Sequence, residues 1–439
     1  MKLLLVSPDY ASHYLPLSAI GTEAATVGAD VVVTTGPAMA ERVAADKFRW
    51  RRLDMSRGSN PGVLGTPDIQ PADVANLTAF FEATRRGMVP TLHYQATARA
   101  ADLLWEPASV ARAMLTIVDE EEPDAVLVDH LALSATLALR AGGHPYTTFV
   151  PGHPSQLPVG DEVYGFPTSW PHAFVPRVDE LHALRERCED VTATVTALYN
   201  SVLRKLDAGA ALVEDAFGAH GRDVLYNSPA ELHPPLREPL LPTRHLFLGG
   251  CPRSEALDPA SAAWLDAGHG EPFVYVSFGT FLSARQDVLA RVVAALRSID
   301  ARVALSLGVA DPTALGRMPD TWLVAPVLPQ VALLAYAGAV VTHGGNNTVS
   351  ESLAAGRPMV VLPFSTDQFS TASDLERTGH AVVADPNTAT VADIARAITA
   401  TFGHTAISRA RAVADTMGWR SGAERAAARI LTSAGTITR

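Results

Sequence analysis

Thr342-His-Gly-Gly-Asn-Asn-Thr-Val-Ser-Glu351 constrains the fold of this chain more than any other stretch. The apolar run Ala339-Val-Val before it reads as a buried parallel strand. Val349-Ser-Glu-Ser-Leu-Ala-Ala after it reads as the start of a helix, closed by Gly356 and Pro358. The two glycines therefore stand at a strand-to-helix turn, where backbone can approach a ligand and the first helical N–H groups point outward. Such a turn suits an anion, most often a phosphate. His343 adds a donor that is charged or neutral near pH 7. The plainer alternative is a glycine-rich loop with a satisfied histidine, and the rest of the chain decides between the two.

The length of 439 residues exceeds one ordinary core, so two domains of about 200 residues each are expected. A hydrophobic content of 48% with 18% charged residues is that of a globular protein. The formal charge of −11 argues against a nucleic-acid or anionic-membrane partner. Cys188 and Cys251 lie far apart with no metal-type spacing, which points to free thiols in a reducing compartment. The N-terminal apolar run is too short for a signal-peptide core. Leu323 to Thr342 approaches transmembrane length, but Pro326, Pro329 and Gln330 divide it into strand, loop and helix. A cytoplasmic protein without membrane insertion, monomeric or homodimeric, is the expectation.

Along the chain, the strand Leu3–Ser7, a loop carrying Asp9, His13 and Pro16, a helix over 17–27 and the strand Val31–Thr34 open a doubly wound α/β sheet. A Gly/Pro/Asn-rich loop over 56–71 follows, then helices near 74–86, 90–102 and 108–120. Next come a strand ending at Asp129, the strand Tyr146–Val150 and a helix over 177–218. Prolines at 151, 154, 158, 167, 171 and 176 make residues 151–176 irregular, and long irregular loops in compact domains are usually functional. Tyr164, Phe166, Trp170 and Phe174 are candidate contacts for a bulky apolar ligand, although they would equally serve to anchor the loop, and Tyr14 is a further candidate for acceptor contact. The proline-rich stretch 231–245 reads as a linker between a domain over 1–230 and a second over 246–418, with residues 419–439 a helix packing back on the first. In the second half, the strand Phe273–Thr280, a helix over 286–298, the strands Arg302–Ser306, Trp322–Ala325 and Met359–Leu362, and helices over 368–378 and 391–402 repeat the α/β pattern.

Ligands of such sheets lie beyond the carboxyl ends of the strands, so the cleft between the two halves is the expected site. The first half presents His13 and Asp129 there, a histidine with an aspartate to hold its tautomer, able to take a proton from a hydroxyl. The second presents Ser277-Phe-Gly-Thr280, the His343 turn and Phe364-Ser-Thr-Asp-Gln368, which offer phosphate donors and an Asp–Gln pair for neighbouring hydroxyls. No Asp-x-Asp pair, Gly-x-Gly-x-x-Gly or Walker lysine occurs, which weighs against a chelated divalent ion, a dinucleotide and a P-loop.

These strand ends, with Val327-Leu-Pro-Gln330, His343-Gly-Gly-Asn-Asn-Thr…Glu351 and Pro363-Phe…Asp367-Gln368, resemble the donor-binding signature of glycosyltransferase family 1. Ser12-His13-Tyr-Leu-Pro16-Leu17 resembles that family's N-terminal Gly-His-x-x-Pro-Leu loop, and actinobacterial natural-product enzymes are the most similar members. The resemblance implies a GT-B fold of two Rossmann-like domains and inverting transfer of a sugar from a TDP- or UDP-linked donor to a hydrophobic natural-product acceptor, with no metal or cofactor. By matching position it makes His13 the general base and Asp129 its partner. His343, Gly345, Asn347 and Thr348, with Thr280, would hold the diphosphate, Glu351 the ribose, Val327 and Gln330 the base, and Asp367 and Gln368 the sugar, with Ser277, Gly279 and Asn346 also on the donor side. Ser12 departs from the usual glycine, and Asn346-Asn347 from an Ala-Gly pair. A non-catalytic sugar-nucleotide-binding activator and a nucleotide-sugar epimerase are the alternatives.

Overall fold

The computed structural model describes residues 1–56, 71–99, 102–417 and 421–435. It contains two all-parallel sheets with helices on both faces. The first is built from β1 (Lys2–Val6), β2 (Asp30–Thr35), β3 (Arg49–Arg52), β4 (Ala125–Asp129), β5 (Thr147–Val150), β6 (Asp223–Tyr226) and β7 (His245–Phe247), in the order β3-β2-β1-β4-β5-β6-β7. The second comprises β8 (Val274–Ser277), β9 (Val303–Ser306), β10 (Leu323–Ala325), β11 (Ala339–Thr342), β12 (Met359–Val361) and β13 (Ala381–Val383), in the order β10-β9-β8-β11-β12-β13. The central strands are continuous apolar runs because helices cover both faces. Leu3 and Leu5 bury into one layer, Leu4 and Val6 into the other. The order reverses between β1 and β4 in the first sheet and between β8 and β11 in the second. Ligands bind at such reversals, and His13, Asp129, Ser277 and His343 all follow or end these four strands.

Several expected boundaries shift, each for a physical reason. The first helix spans Ala11–Thr26 and runs straight through Pro16, so His13 sits in its first turn and not in a loop. The strand expected over 273–280 stops at Ser277, and Gly279–Leu282 turns into a short helix as Gly279 takes φ +65°. The helix expected over 177–218 ends at Leu206. The helix after the glycine turn begins earlier than expected, at Asn346.

The stretch read as a linker, 231–245, docks on the first lobe. The buried Arg237 guanidinium pairs with Glu162 at 2.7 Å and donates to the Pro154 and Leu157 carbonyls, and β7 pairs with β6. Proline limits the backbone but does not keep a segment from docking. The chain therefore leaves the first sheet only after Phe247. The Gly422–Gly435 helix then returns, burying Ala423, Ala426, Ala427 and Ile430 against Leu3, Leu5, Leu17 and Ile20. Truncating a buried residue such as Ile430 would cost about 2–5 kcal/mol. In the other direction, Phe80 and Phe81 of the Pro71–Arg86 helix pack into the second lobe's core, against Phe281 at ring distances of 5.0 and 5.1 Å.

Candidate active site

His13 is brought to the cleft by the first turn of the helix that follows β1. Its Nδ1 lies 2.7 Å from Asp129 Oδ2, and Asp129, at the end of β4, is fully buried. Burial pushes the Asp129 carboxyl up, but the His13 and His130 imidazoles and the Leu131 N–H, 2.9 Å from Oδ1, outweigh it and hold the group below the usual carboxylate range. An ionised carboxylate can only accept, so Nδ1 of His13 carries the hydrogen and Nε2 is left as the basic nitrogen.

Opposite stands the glycine turn after β11. Gly344 takes φ +85°, which L side chains avoid, and a Cβ on Gly345 would come within 2.4 Å of His343 Nε2. Glycine at 345 thus makes room for the imidazole. Burial lowers the His343 pKa to about 4, although the Ser277 backbone and the Asp367 charge favour the protonated ring. Its Nδ1 is buried with no partner at hydrogen-bond geometry, so this imidazole is neutral at pH 7. The Asn346–Ala354 helix starts here with no side-chain cap, leaving its first N–H groups open to a ligand. One turn on, Gln330 donates to Thr348 Oγ1 (3.2 Å) and to Glu351, and accepts from the Tyr275 hydroxyl (3.3 Å). Burial pushes Glu351 up to about 7, with Gln330 and Arg253 pulling down and Glu255 adding to the rise. Val327 is exposed at the rim. Ser277 Oγ accepts from the Gly279 N–H at 3.3 Å, and the side chain of Thr280 lies outside the described residues.

The two walls touch. Asn347 Nδ2 donates to the Ser12 carbonyl at 3.1 Å, and Asn346 Nδ2 donates to the carbonyls of Pro151 and Asn227, the latter at 2.9 Å. The His13 pair and the His343 turn therefore face one cleft.

Other expected site residues fall elsewhere. Tyr14 is fully buried with its hydroxyl on Asp46 Oδ2 at 2.5 Å, because it points back from the helix into the core; it is not an acceptor contact. Tyr164 stacks on Phe217 at 3.9 Å and anchors its loop, its edge reaching a crevice of about 40 Å³ shared with Asp367 and Thr366. Phe166 and Trp170 are half-buried around Phe174, which meets Phe369 of the second lobe edge-on at 5.3 Å. They pack at the seam between the lobes, and Phe166 also lines the crevice beside Tyr164 and Asp367. Gln368 is buried and its amide closes its own turn, accepting from the Phe364 N–H (2.9 Å) and the Ser365 N–H (3.2 Å), so it is not free for sugar hydroxyls in this structure. Asp367 faces the cleft but accepts from the His153 N–H at 2.8 Å. His153 and Asp374, 2.9 Å apart and both buried, form a cross-lobe pair that motif reading missed; the position of His153 just after β5 was the available signal. Residues 57–70 of the Gly/Pro/Asn-rich loop lie outside the described residues. A groove of about 480 Å³ lies on the first lobe between Glu162, Glu189 and Glu214, away from all of this chemistry.

Comparison with known proteins agrees with this geometry. The family model for UDP-glucoronosyl and UDP-glucosyl transferase matches residues 234–406, the wall that carries the glycine turn. Over 424 residues the chain is 27% identical to glycosyltransferase GtfE of Amycolatopsis orientalis, covering 95% of this chain and 94% of that protein. The chain is thus similar to glycosyltransferases of family 1. Two solved structures of glycosyltransferases share its GT-B fold. They are CalG4, the calicheamicin glycosyltransferase (TM-score 0.69, 19% identity, covering 100% and 99% of the two chains), and VinC in complex with DTDP (TM-score 0.68, 17% identity, 99% and 100%). The uncharacterized UDP-glucosyltransferase YojK of Bacillus subtilis is 34% identical over 110 residues, a stretch spanning 25% of this chain and only 27% of YojK.

Among the described residues no helix is long and apolar enough to cross a membrane, and no group of three His, Cys, Asp or Glu side chains is placed to hold a metal ion. Cys188 and Cys251 are both buried free thiols.

Proposed function

We propose that the protein is an inverting, metal-independent glycosyltransferase that moves a sugar from a TDP- or UDP-linked donor to a hydrophobic natural-product acceptor in the cytoplasm. The observation that carries this is the His13–Asp129 pair, 2.7 Å apart, facing the uncapped helix start at His343 across one cleft. The acceptor hydroxyl gives its proton to His13 Nε2, and its oxygen attacks the anomeric carbon from the face opposite the departing diphosphate. Asp129 stabilises the imidazolium that results. Negative charge gathers on the leaving phosphate oxygen, where the helix N–H groups of Asn347 and Thr348 and the neutral His343 ring donate to it. Thr280 and the Ser277–Gly279 turn lie on the same wall, Glu351 and Gln330 would take the ribose and Val327 the base. Asp367 would take sugar hydroxyls on release from His153. The likeness to CalG4, the calicheamicin glycosyltransferase, and to a VinC structure solved with DTDP supports a natural-product setting and a thymidine donor.

The test is to incubate the protein with UDP-glucose and TDP-glucose and a panel of phenolic and polyketide acceptors, and to read the product by NMR. A β-glucoside formed from the α-linked donor is expected. An α-glucoside would contradict inversion, and a rearranged nucleotide sugar formed without acceptor would make the protein an epimerase.

A further inference from the structure

The first helix contains a proline at an interior position, and the residue it deprives is specific. In an α-helix each N–H donates to the carbonyl four residues back, so the Ser12 carbonyl should be served by residue 16. Residue 16 is proline, which has no N–H and whose ring crowds that carbonyl. Ser12 immediately precedes His13. The donor that reaches its carbonyl comes from the other lobe: Asn347 Nδ2, at 3.1 Å. Asn346, the neighbouring residue, reaches across at a second point, to Pro151 after β5 and to Asn227 after β6, whose own backbone N–H is bonded to Val150. Both asparagines open the helix that follows the glycine turn and starts with no side-chain cap.

We infer that Asn347 is a positioning residue that completes the first turn of the His13 helix from the opposite lobe, so that the base is set only when the two lobes are closed. Pro16 creates the open carbonyl, Asn347 fills it, and Asn346 braces the same approach. This rests on the glycosyl-transfer reading above in assigning the base to His13; the cross-lobe contact itself does not. A side chain that helps to set the base should act on turnover more than on nucleotide affinity. A net hydrogen bond of ordinary strength corresponds to about a tenfold effect.

The test is a double-mutant cycle of Asn347→Ala and Pro16→Ala in the full-length protein. The cycle is read by steady-state cleavage of UDP-glucose and TDP-glucose, by calorimetric titration of UDP and TDP, and by hydrogen–deuterium exchange over residues 11–20. Asn347→Ala should lower kcat about tenfold while nucleotide Kd stays within twofold, and amides of the first helical turn should exchange about tenfold faster. Asn347→Asp, which cannot donate, should behave like the alanine variant. In the Pro16→Ala background the helix serves its own carbonyl, so adding Asn347→Ala should change kcat and exchange less than twofold. Loss of nucleotide affinity with unchanged kcat and unchanged exchange would make Asn347 a donor ligand only and overturn the inference, while leaving the proposed function intact. If the wild type cleaves neither donor, the transfer reading fails for these sugars. Exchange still decides the contact, and equal rates in wild type and Asn347→Ala would refute it.

Discussion

The two walls of the cleft use the same two kinds of side chain, a histidine and a carboxylic acid, but hold the acid in opposite ways, lowered on one wall and raised on the other. On the first wall Asp129 is kept ionised, because an imidazole stands 2.7 Å away and outweighs full burial. On the second, Glu351 meets a neutral amide and is pushed up to about 7, and burial drives His343 down to about 4. Burial alone therefore does not set the chemistry of a buried acid; its nearest partner does. The difference suits the two tasks. Charge on the first wall prepares a base for a proton, whereas the uncapped helix start of the second wall can meet a diphosphate with N–H groups.

The sharpest way to break this contrast is to remove the base. His13→Ala should lower kcat by about 10²–10⁴-fold, the usual range for general-base assistance, and steady-state kinetics with any turned-over acceptor will read it. A loss under tenfold would place the base elsewhere.

On the second wall the sign of a pH effect is the next discriminator. A carboxyl whose folded pKa lies near 7, above its unfolded value, contributes stability that is fully present below the unfolded pKa and lost as pH rises toward 7. Glu351→Gln should thus stabilise the protein at pH 8 relative to pH 5, by an amount of the order of 3 kcal/mol at most, read as a pH-dependent difference in Tm. Equal Tm differences at both values would show that Glu351 is ionised like Asp129.

His343→Ala should cost about tenfold in kcat/KM for the donor, the scale of one lost hydrogen bond to the leaving group. Because the ring is already neutral, that cost should stay level between pH 6 and 8 in a pH–rate series. The smallest effect belongs behind the first wall: Tyr14→Phe should lower stability by about 1 kcal/mol through the lost Asp46 contact, leaving acceptor KM unchanged.

Much of this was legible in the sequence because strand ends announce themselves. Apolar runs ending at Asp129 and Thr342 mark the sheets, and glycines at 344 and 345 mark the turn. What could not be read was direction and partnership. Tyr14 lies one residue from His13, yet helical geometry turns it to the core. Pro16 looked like a helix boundary and is instead interior, since the carbonyl it deprives is served by Asn347 from more than 300 residues away along the chain. Tyr164, Phe166 and Trp170 have the composition of a ligand pocket and the packing of a seam. The short strands β3, β7 and β13 carry weak alternation and take their form from pairing with their neighbours.

The central claim is a division of labour between the walls, and calorimetric titration of UDP and TDP into His13→Ala and His343→Ala side by side tests it most directly. Wild-type nucleotide affinity in the first variant, within twofold, with affinity about tenfold weaker in the second, is the result expected. Affinity lost in His13→Ala and kept in His343→Ala would contradict it.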